Sequence, residues 1–175
     1  CYGGGVTSVE HAKKIIKLGA EKVALSAAAI ANPELVTKIS EEIGAQSVVV
    51  VLDVKKKGLF GKYEVFTHNG TKATGKSPFE LAEDFERRGV GEIVLNNIDT
   101  EGTMKGFDFK LIDGVREIIS KPMTVLGGAG DAEDIKKVID KYKIIGVAAG
   151  SLFVFKGKYR AVLINYTPYN SLFNL

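Results

Sequence analysis

Two glycine clusters and one carboxylate are the parts of this sequence best suited to chemistry. Gly3, Gly4 and Gly5 run straight into a helical pattern, and Gly127 and Gly128 run into another. Beyond each helix a short apolar run closes on small residues: Ser26 and Ala27 in the first case, Gly150 and Ser151 in the second. Superposed at a constant offset of 124 residues (127 against 3), Gly3 falls on Gly127, Gly4 on Gly128, Lys13 on Lys137, Ser26 on Gly150 and Ala27 on Ser151, with no gap. A fixed offset across strand end, helix and next strand marks an internal duplication. Glycines at such strand ends let main-chain N–H groups approach an anion, and the short helix starting near Ser151 adds its positive end. Taken singly, either cluster is equally well explained by helix ends packing close to strands. Two clusters in register favour phosphate binding, by a ligand with a phosphate at each end.

The carboxylate is Asp53, which closes the run SVVVVLD at 47–53. At the rim of an apolar strand its pKa is expected to rise toward neutrality, where a carboxyl group transfers protons well. From the residues alone, an ion pair with Lys55 or Lys72 in the lysine-rich hairpin that follows is the favoured explanation. His11 falls in a helix and His68 in that hairpin, a pattern that brings no metal site together, and both are assigned to structure. No cofactor is implied.

The elements that must position these groups are β-branched runs alternating with amphipathic helices. Strands are predicted at 22–26, 47–53, 92–97, 122–126 and 144–149, and helices near 8–18, 33–43, 78–88, 108–119 and 131–141. Asn32-Pro33 and Ser77-Pro78 each place a cap before a first-turn proline, and Ser77 with Glu80 has capping-box spacing. The strand runs are apolar on both faces, as parallel strands covered by helices are. Repeating strand–helix units predict a parallel sheet, either doubly wound or a (β/α)8 barrel. Gly127, Gly128, Gly150 and Ser151 follow the last two strands, where barrels grip phosphates, and this favours the barrel.

Composition narrows the class. With 175 residues, 45% of them hydrophobic, the chain supports one sizeable core, and residues 1–175 are read as one domain. The 24 basic and 21 acidic residues are spread along the chain, leaving a net charge of +3 and no basic face for nucleic acid. Cys1 stands alone, so neither an internal disulfide nor a cysteine zinc site is expected, which fits a reducing cytoplasm. No apolar run approaches the roughly 18 residues of a membrane span, and no signal peptide precedes the first strand. A soluble cytoplasmic protein is expected, without membrane contact.

The stretches YGGGV, VVVVLDVK, YEVFTHNGTKATG, DTEGTMKGFD, LGGAG and AAGSLF, in this order and spacing, resemble the cyclase subunit of imidazole glycerol phosphate synthase. The resemblance covers residues 2–155, and EVFTHNGTKATG separates it from the sister isomerase, which shares the glycine clusters. It implies a (β/α)8 barrel that arose by half-barrel duplication, with a phosphate site in each half. The implied activity takes ammonia from a glutaminase partner, with which the subunit forms a heterodimer. It converts a bis-phosphorylated ribulosyl formimino nucleotide to imidazole glycerol phosphate and aminoimidazole carboxamide ribotide, in histidine biosynthesis. Asp53 matches one of two catalytic aspartates, the one on the fifth strand. Gly4, Gly5, Ser26, Gly102, Thr103, Gly127, Gly128, Gly150 and Ser151 are the implied phosphate contacts. Lys22 and Glu92, each preceding its strand, match a charged ring thought to gate ammonia. Glu101 stands where the family has aspartate.

By this alignment the chain begins at the end of the third strand and runs through the eighth helix. It is thus expected to be an incomplete barrel lacking roughly two and a half βα units, and inactive alone for want of the second aspartate. LNNID, VLGGAG and the tail FKGKYRAVLINY are closer to a paralogous branch that relays ammonia for sugar amidation in surface-polysaccharide synthesis, and Leu126 replaces a small hydroxyl residue. The final TPYNSLFNL matches neither branch. Cyclase subunit, ammonia relay and inactive half-barrel scaffold therefore stand as the three functional readings.

Overall fold

The computed structural model describes residues 1–58, 61–157 and 159–164, and TPYNSLFNL lies outside them. In chain order the elements are β1 (Tyr2–Gly3), α1 (Val9–Lys17), β2 (Val23–Leu25), α2 (Ala27–Ala31), α3 (Glu34–Ile43), β3 (Val48–Lys57), β4 (Lys62–Thr67), β5 (Lys72–Ala73), α4 (Pro78–Arg87), β6 (Glu92–Asn97), α5 (Phe109–Arg116), β7 (Met123–Leu126), α6 (Ala132–Tyr142), β8 (Gly146–Val147), α7 (Ser151–Val154), β9 (Phe155–Lys156) and β10 (Ala161–Val162). The main sheet runs β1-β2-β3-β6-β7-β8, every neighbouring pair parallel. Strands laid down in sequence order by right-handed crossovers put all the intervening helices on one face. That order excludes a doubly wound sheet, whose strand order reverses. The architecture is a partial (β/α)8 barrel, open between β1 and β8 among the described residues.

Alternation along the strands sorts the two faces. On β3, Val48, Val50, Leu52 and Val54 point toward the helices and are wholly buried, joined there by Ile39, Phe85, Val115 and Val138. Val51 and Asp53 take the other, concave face and are half-buried. The helices begin where capping groups stand. The Ser8 hydroxyl accepts from the His11 amide at 3.1 Å, Asp108 from Leu111 at 3.3 Å and Asp131 from Asp134 at 2.9 Å. The hydroxyl of Ser77 takes the Phe79 amide at 3.2 Å, one residue short of the box that the Ser77/Glu80 spacing predicts. Asn32 serves its helix through its carbonyl, which accepts from Leu35 at 3.1 Å, and α3 has no side-chain cap.

The 124-residue duplication survives folding with one slip. Tyr2 pairs with Val23, 21 positions on, whereas Val125 pairs with Val147, 22 positions on. Strand β7 therefore sits one residue out of step with β1, and the two glycine clusters do not occupy equivalent places.

Strand β3 outruns its parallel neighbours. From Asp53↔Phe66 to Lys57↔Lys62 it pairs antiparallel with β4, forming an arm that rises beyond the barrel rim. A clamp holds this arm to α5: Tyr63 donates to Asp108 at 2.9 Å, and Lys56 Nζ lies 2.8 Å from the same carboxylate. Burial alone would raise the Asp108 pKa, but these partners and the Leu111 amide hold it below the usual carboxylate value. A depressed carboxylate stabilises the fold above its unfolded pKa and loses that contribution as pH falls through the folded value. Replacing Asp108 by alanine removes cap and clamp together and should cost about 1–2 kcal/mol at pH 7. In urea melts that deficit should shrink below about pH 4; a deficit constant down to pH 2 would show that the charge contributes nothing.

Candidate active site

Asp53 sits where β3 passes from its parallel partner to its antiparallel one, paired with Asn96 of β6 on one side and Phe66 of β4 on the other. Its Oδ1 accepts a 2.8 Å hydrogen bond from Asn96 Nδ2. No ion pair involves it among the described residues, since Lys55 instead donates to the Gly70 carbonyl at 3.0 Å and stands over the Phe66 ring. Burial raises the Asp53 pKa, the Asn96 bond opposes that rise, and the negative charge of Glu101 adds to it. The result is a carboxyl group that holds its proton at higher pH than an ordinary aspartate, in a setting suited to proton transfer.

The first glycine cluster opens onto the same cleft, of about 330 Å³, lined by Gly4, Gly5, Ser26, Asp53, His68 and Asn69 among others. Both Gly4 and Gly5 have positive φ (97° and 72°), and a Cβ built on either would meet nothing within 4 Å. Their backbone faces open space. His68, which the sequence pattern assigns to structure, lines this cleft with its Nδ1 3.0 Å from the Thr67 hydroxyl. The signal for it lay in the hairpin register: with Asp53 opposite Phe66, a residue just past β4 folds back over the strand end.

The second cluster is tighter. A notch of about 30 Å³ is lined by Glu101, Gly102, Leu126, Gly127, Gly128, Gly150 and Ser151, with three alanines. Here two of the glycines have structural work. A Cβ on Gly127 would come within 2.3 Å of the Asn97 carbonyl, and one on Gly128 within 2.1 Å of the Gly106 carbonyl. Their own carbonyls accept from Thr100 Oγ1 and from the Gly106 amide. For this pair, close packing accounts for the residue type without any ligand. Gly150 is different: its φ is −104° and its Cβ position is empty, so neither conformation nor packing demands glycine there.

The remaining predicted residues separate. Thr103 is exposed and its hydroxyl donates to the Thr100 carbonyl at 2.8 Å, tying the loop to itself. In the same loop Asp99, which is not one of the predicted site residues, accepts from the Lys56 amide at 2.7 Å. Lys22 and Glu92 lie at the N-terminal end of the sheet, away from Asp53, and meet at 2.6 Å, with the Thr124 hydroxyl donating to the other Glu92 oxygen at 2.7 Å. Burial pushes the Glu92 pKa up, but Lys22 and Thr124 hold it below normal. No three metal-ligating side chains come together among the described residues.

A family model described as histidine biosynthesis protein matches residues 1–160. The chain belongs to that family. It is 51% identical to a putative imidazole glycerol phosphate synthase subunit hisF3 of Vibrio vulnificus over 166 residues, 95% of this chain and 64% of the relative. It is 45% identical over 172 residues to a putative hisF2 subunit of Pseudomonas aeruginosa, covering 98% of this chain and 68% of that one. To the imidazole glycerol phosphate synthase subunit HisF of Thermococcus onnurineus it is 42% identical over 158 residues, 90% of this chain and 61% of the relative. The chain thus spans under two thirds of the Vibrio and Thermococcus relatives. The resemblance drawn from the six motifs is borne out, and so is the barrel class. No helix among the described residues is long and apolar enough to cross a membrane.

Within this histidine biosynthesis barrel the residue missed by sequence reasoning is Asn96. It is only 8% exposed, and its Oδ1 has no hydrogen-bond partner among the described residues. A buried amide kept with one end unpartnered is held by the bond at its other end. Replacing Asn96 by leucine should therefore raise the Asp53 pKa further, read as the midpoint of its carboxyl carbon-13 shift; an unmoved or lowered midpoint would remove Asn96 as the group that restrains Asp53.

Proposed function

We propose that the protein carrying this barrel acts as the cyclase subunit of imidazole glycerol phosphate synthase. In this reading it takes ammonia from a glutaminase partner and converts a bis-phosphorylated ribulosyl formimino nucleotide to imidazole glycerol phosphate and aminoimidazole carboxamide ribotide. The observation that carries the reading is a carboxyl whose pKa burial raises, Asp53, sharing a cleft with the open backbone of Gly4, Gly5 and Ser26. One phosphate seats on that backbone and the other against Gly150 and Ser151, so the reacting part of the substrate lies over Asp53. Raised pKa suits the aspartate to give a proton to a departing or newly formed nitrogen or oxygen, then recover it. Half burial excludes much of the water that would compete. Ammonia enters from the other end of the sheet, past Lys22 and Glu92, and the glutaminase docks on that face. The family match and relatives named as synthase subunits support the assignment.

The test is Asp53→Asn in the full-length protein supplied with ammonium salt, which bypasses the glutaminase. Turnover should fall about 10²–10⁴-fold. The same variant carries a stability signature. Because the native state holds this proton more tightly than the unfolded chain, ionising Asp53 costs stability as pH rises from about 3.9 through its raised folded value. Asp53→Asn escapes that cost, so its Tm should exceed the wild-type Tm at pH 8 and converge with it below about pH 4. Undiminished turnover would remove Asp53 from the chemistry; a Tm deficit at pH 8 would remove the burial argument.

A further inference from the structure

The notch at the second glycine cluster is too shallow to enclose an oxyanion. About 30 Å³ holds on the order of two water molecules, so a phosphoryl group seated on Gly150 and Ser151 leaves much of itself outside the mouth. Its lining is also wrong in sign, for the one charged residue in it is Glu101. A dianion placed there meets a carboxylate and small apolar side chains, with only backbone dipoles in its favour.

A cation stands beside the notch, in contact with one of its lining residues. Strands β9 and β10 form a short antiparallel hairpin, Phe155 opposite Val162, which follows directly on α7 and is tied back to it by the Leu163 amide donating to the Val154 carbonyl at 2.8 Å. At its turn Arg160 adopts a left-handed conformation (φ 49°), with its amide donating to the Gly157 carbonyl at 3.0 Å. Two contacts locate its guanidinium: Nη2 donates to the Gly102 carbonyl at 3.1 Å, and the guanidinium carbon lies 4.8 Å from the centre of the Phe155 ring. Gly102 is itself a lining residue of the notch, and its Cβ position lies 3.6 Å from the Ser151 hydroxyl. The guanidinium carries five N–H donors in a planar fork, and the Gly102 carbonyl engages one.

We propose that Arg160 is the cation of the second anion site, closing over its mouth to bind the outward oxygens of a phosphoryl group seated on the Gly150–Ser151 backbone. The assignment rests on the phosphate reading of that cluster. Arg160 offsets Glu101 and binds two oxygens at once, which a lysine does not do with the same geometry. In place of a deep pocket, the site consists of a shallow notch and an arginine brought to it by the tail hairpin.

The experiment is a titration of the full chain with inorganic phosphate, followed by the amide resonances of Gly150 and Ser151 and by the guanidinium Nε–H resonance of Arg160. In the wild type all three should shift on one binding curve. Arg160→Met should weaken binding about tenfold, flatten its salt dependence, and leave the melting temperature within a few degrees; Arg160→Lys should recover only part of the loss. Gly150→Val, allowed by its backbone angle and empty Cβ position, should abolish the amide shifts in a folded protein. Lys141→Met, on α6 and paired with Asp113, should change nothing. If Gly150→Val abolishes binding while Arg160→Met binds as the wild type does and the Nε–H signal stays still, Arg160 is only a structural strap and the proposal fails alone. If wild-type phosphate leaves the Gly150 and Ser151 amides unmoved, the phosphate reading of the cluster fails and the proposal falls with it.

Discussion

The rim of this barrel depends on one hydrogen bond, from Asn96 Nδ2 to Asp53 Oδ1 at 2.8 Å, made where two ladders meet. Among the described residues strand β3 alone is shared by the parallel sheet and the antiparallel arm, and both pairings hold at Asp53 and Val54, of which Asp53 faces the cleft. Its neighbours on either side are therefore fixed by backbone register, and its side chain is aimed into the cleft by the pleat. Burial favours the protonated form of this carboxyl and the amide favours the charged one, and burial prevails, leaving the pKa raised. A lysine in the same place would settle the balance in favour of the anion. The structure keeps its lysines elsewhere: Lys55 on Gly70, Lys56 on Asp108, Lys57 on Glu64.

The two ends of the sheet are electrostatically unlike. At the N-terminal end, Glu92 has an ammonium on one oxygen and a hydroxyl on the other, which hold its pKa below normal and favour the charged form. At the C-terminal end Asp53 has a single amide and a neighbouring negative charge. The same residue class, four positions apart in interstrand register, is thus tuned in opposite directions by what surrounds it. A fixed ion pair suits an entry or docking face. A proton that can leave and return suits chemistry.

Helices and parallel strands are legible because apolar periodicity and the Ser77-Pro78 start are local signals. Asn96 is not, because its partner is 43 residues away and its meaning comes only from the β3–β6 register. Read as sequence, the pair of asparagines in LNNID marked drift from the family; in the fold one of them touches the candidate acid. The glycines show the limit most clearly. Sequence gives Gly127, Gly128 and Gly150 the same weight, whereas the carbonyls of Asn97 and Gly106 require glycine at the first two and nothing requires it at the third. His68 has no metal partner in the sequence pattern, yet the arm carries it into the Asp53 cleft.

The central claim is that one rim holds two phosphates of one ligand, with Asp53 between them. Its most direct measurement is a pair of amide-resolved titrations of the full-length protein, with a pentulose bisphosphate and with the corresponding monophosphate. The account predicts that the bisphosphate shifts Gly4, Gly5 and Ser26 together with Gly150 and Ser151 on a single binding curve, and that it binds about 10²-fold or more tighter than the monophosphate because the second contact is intramolecular. Equal affinities for the two ligands, or shifts confined to one glycine cluster, would contradict it.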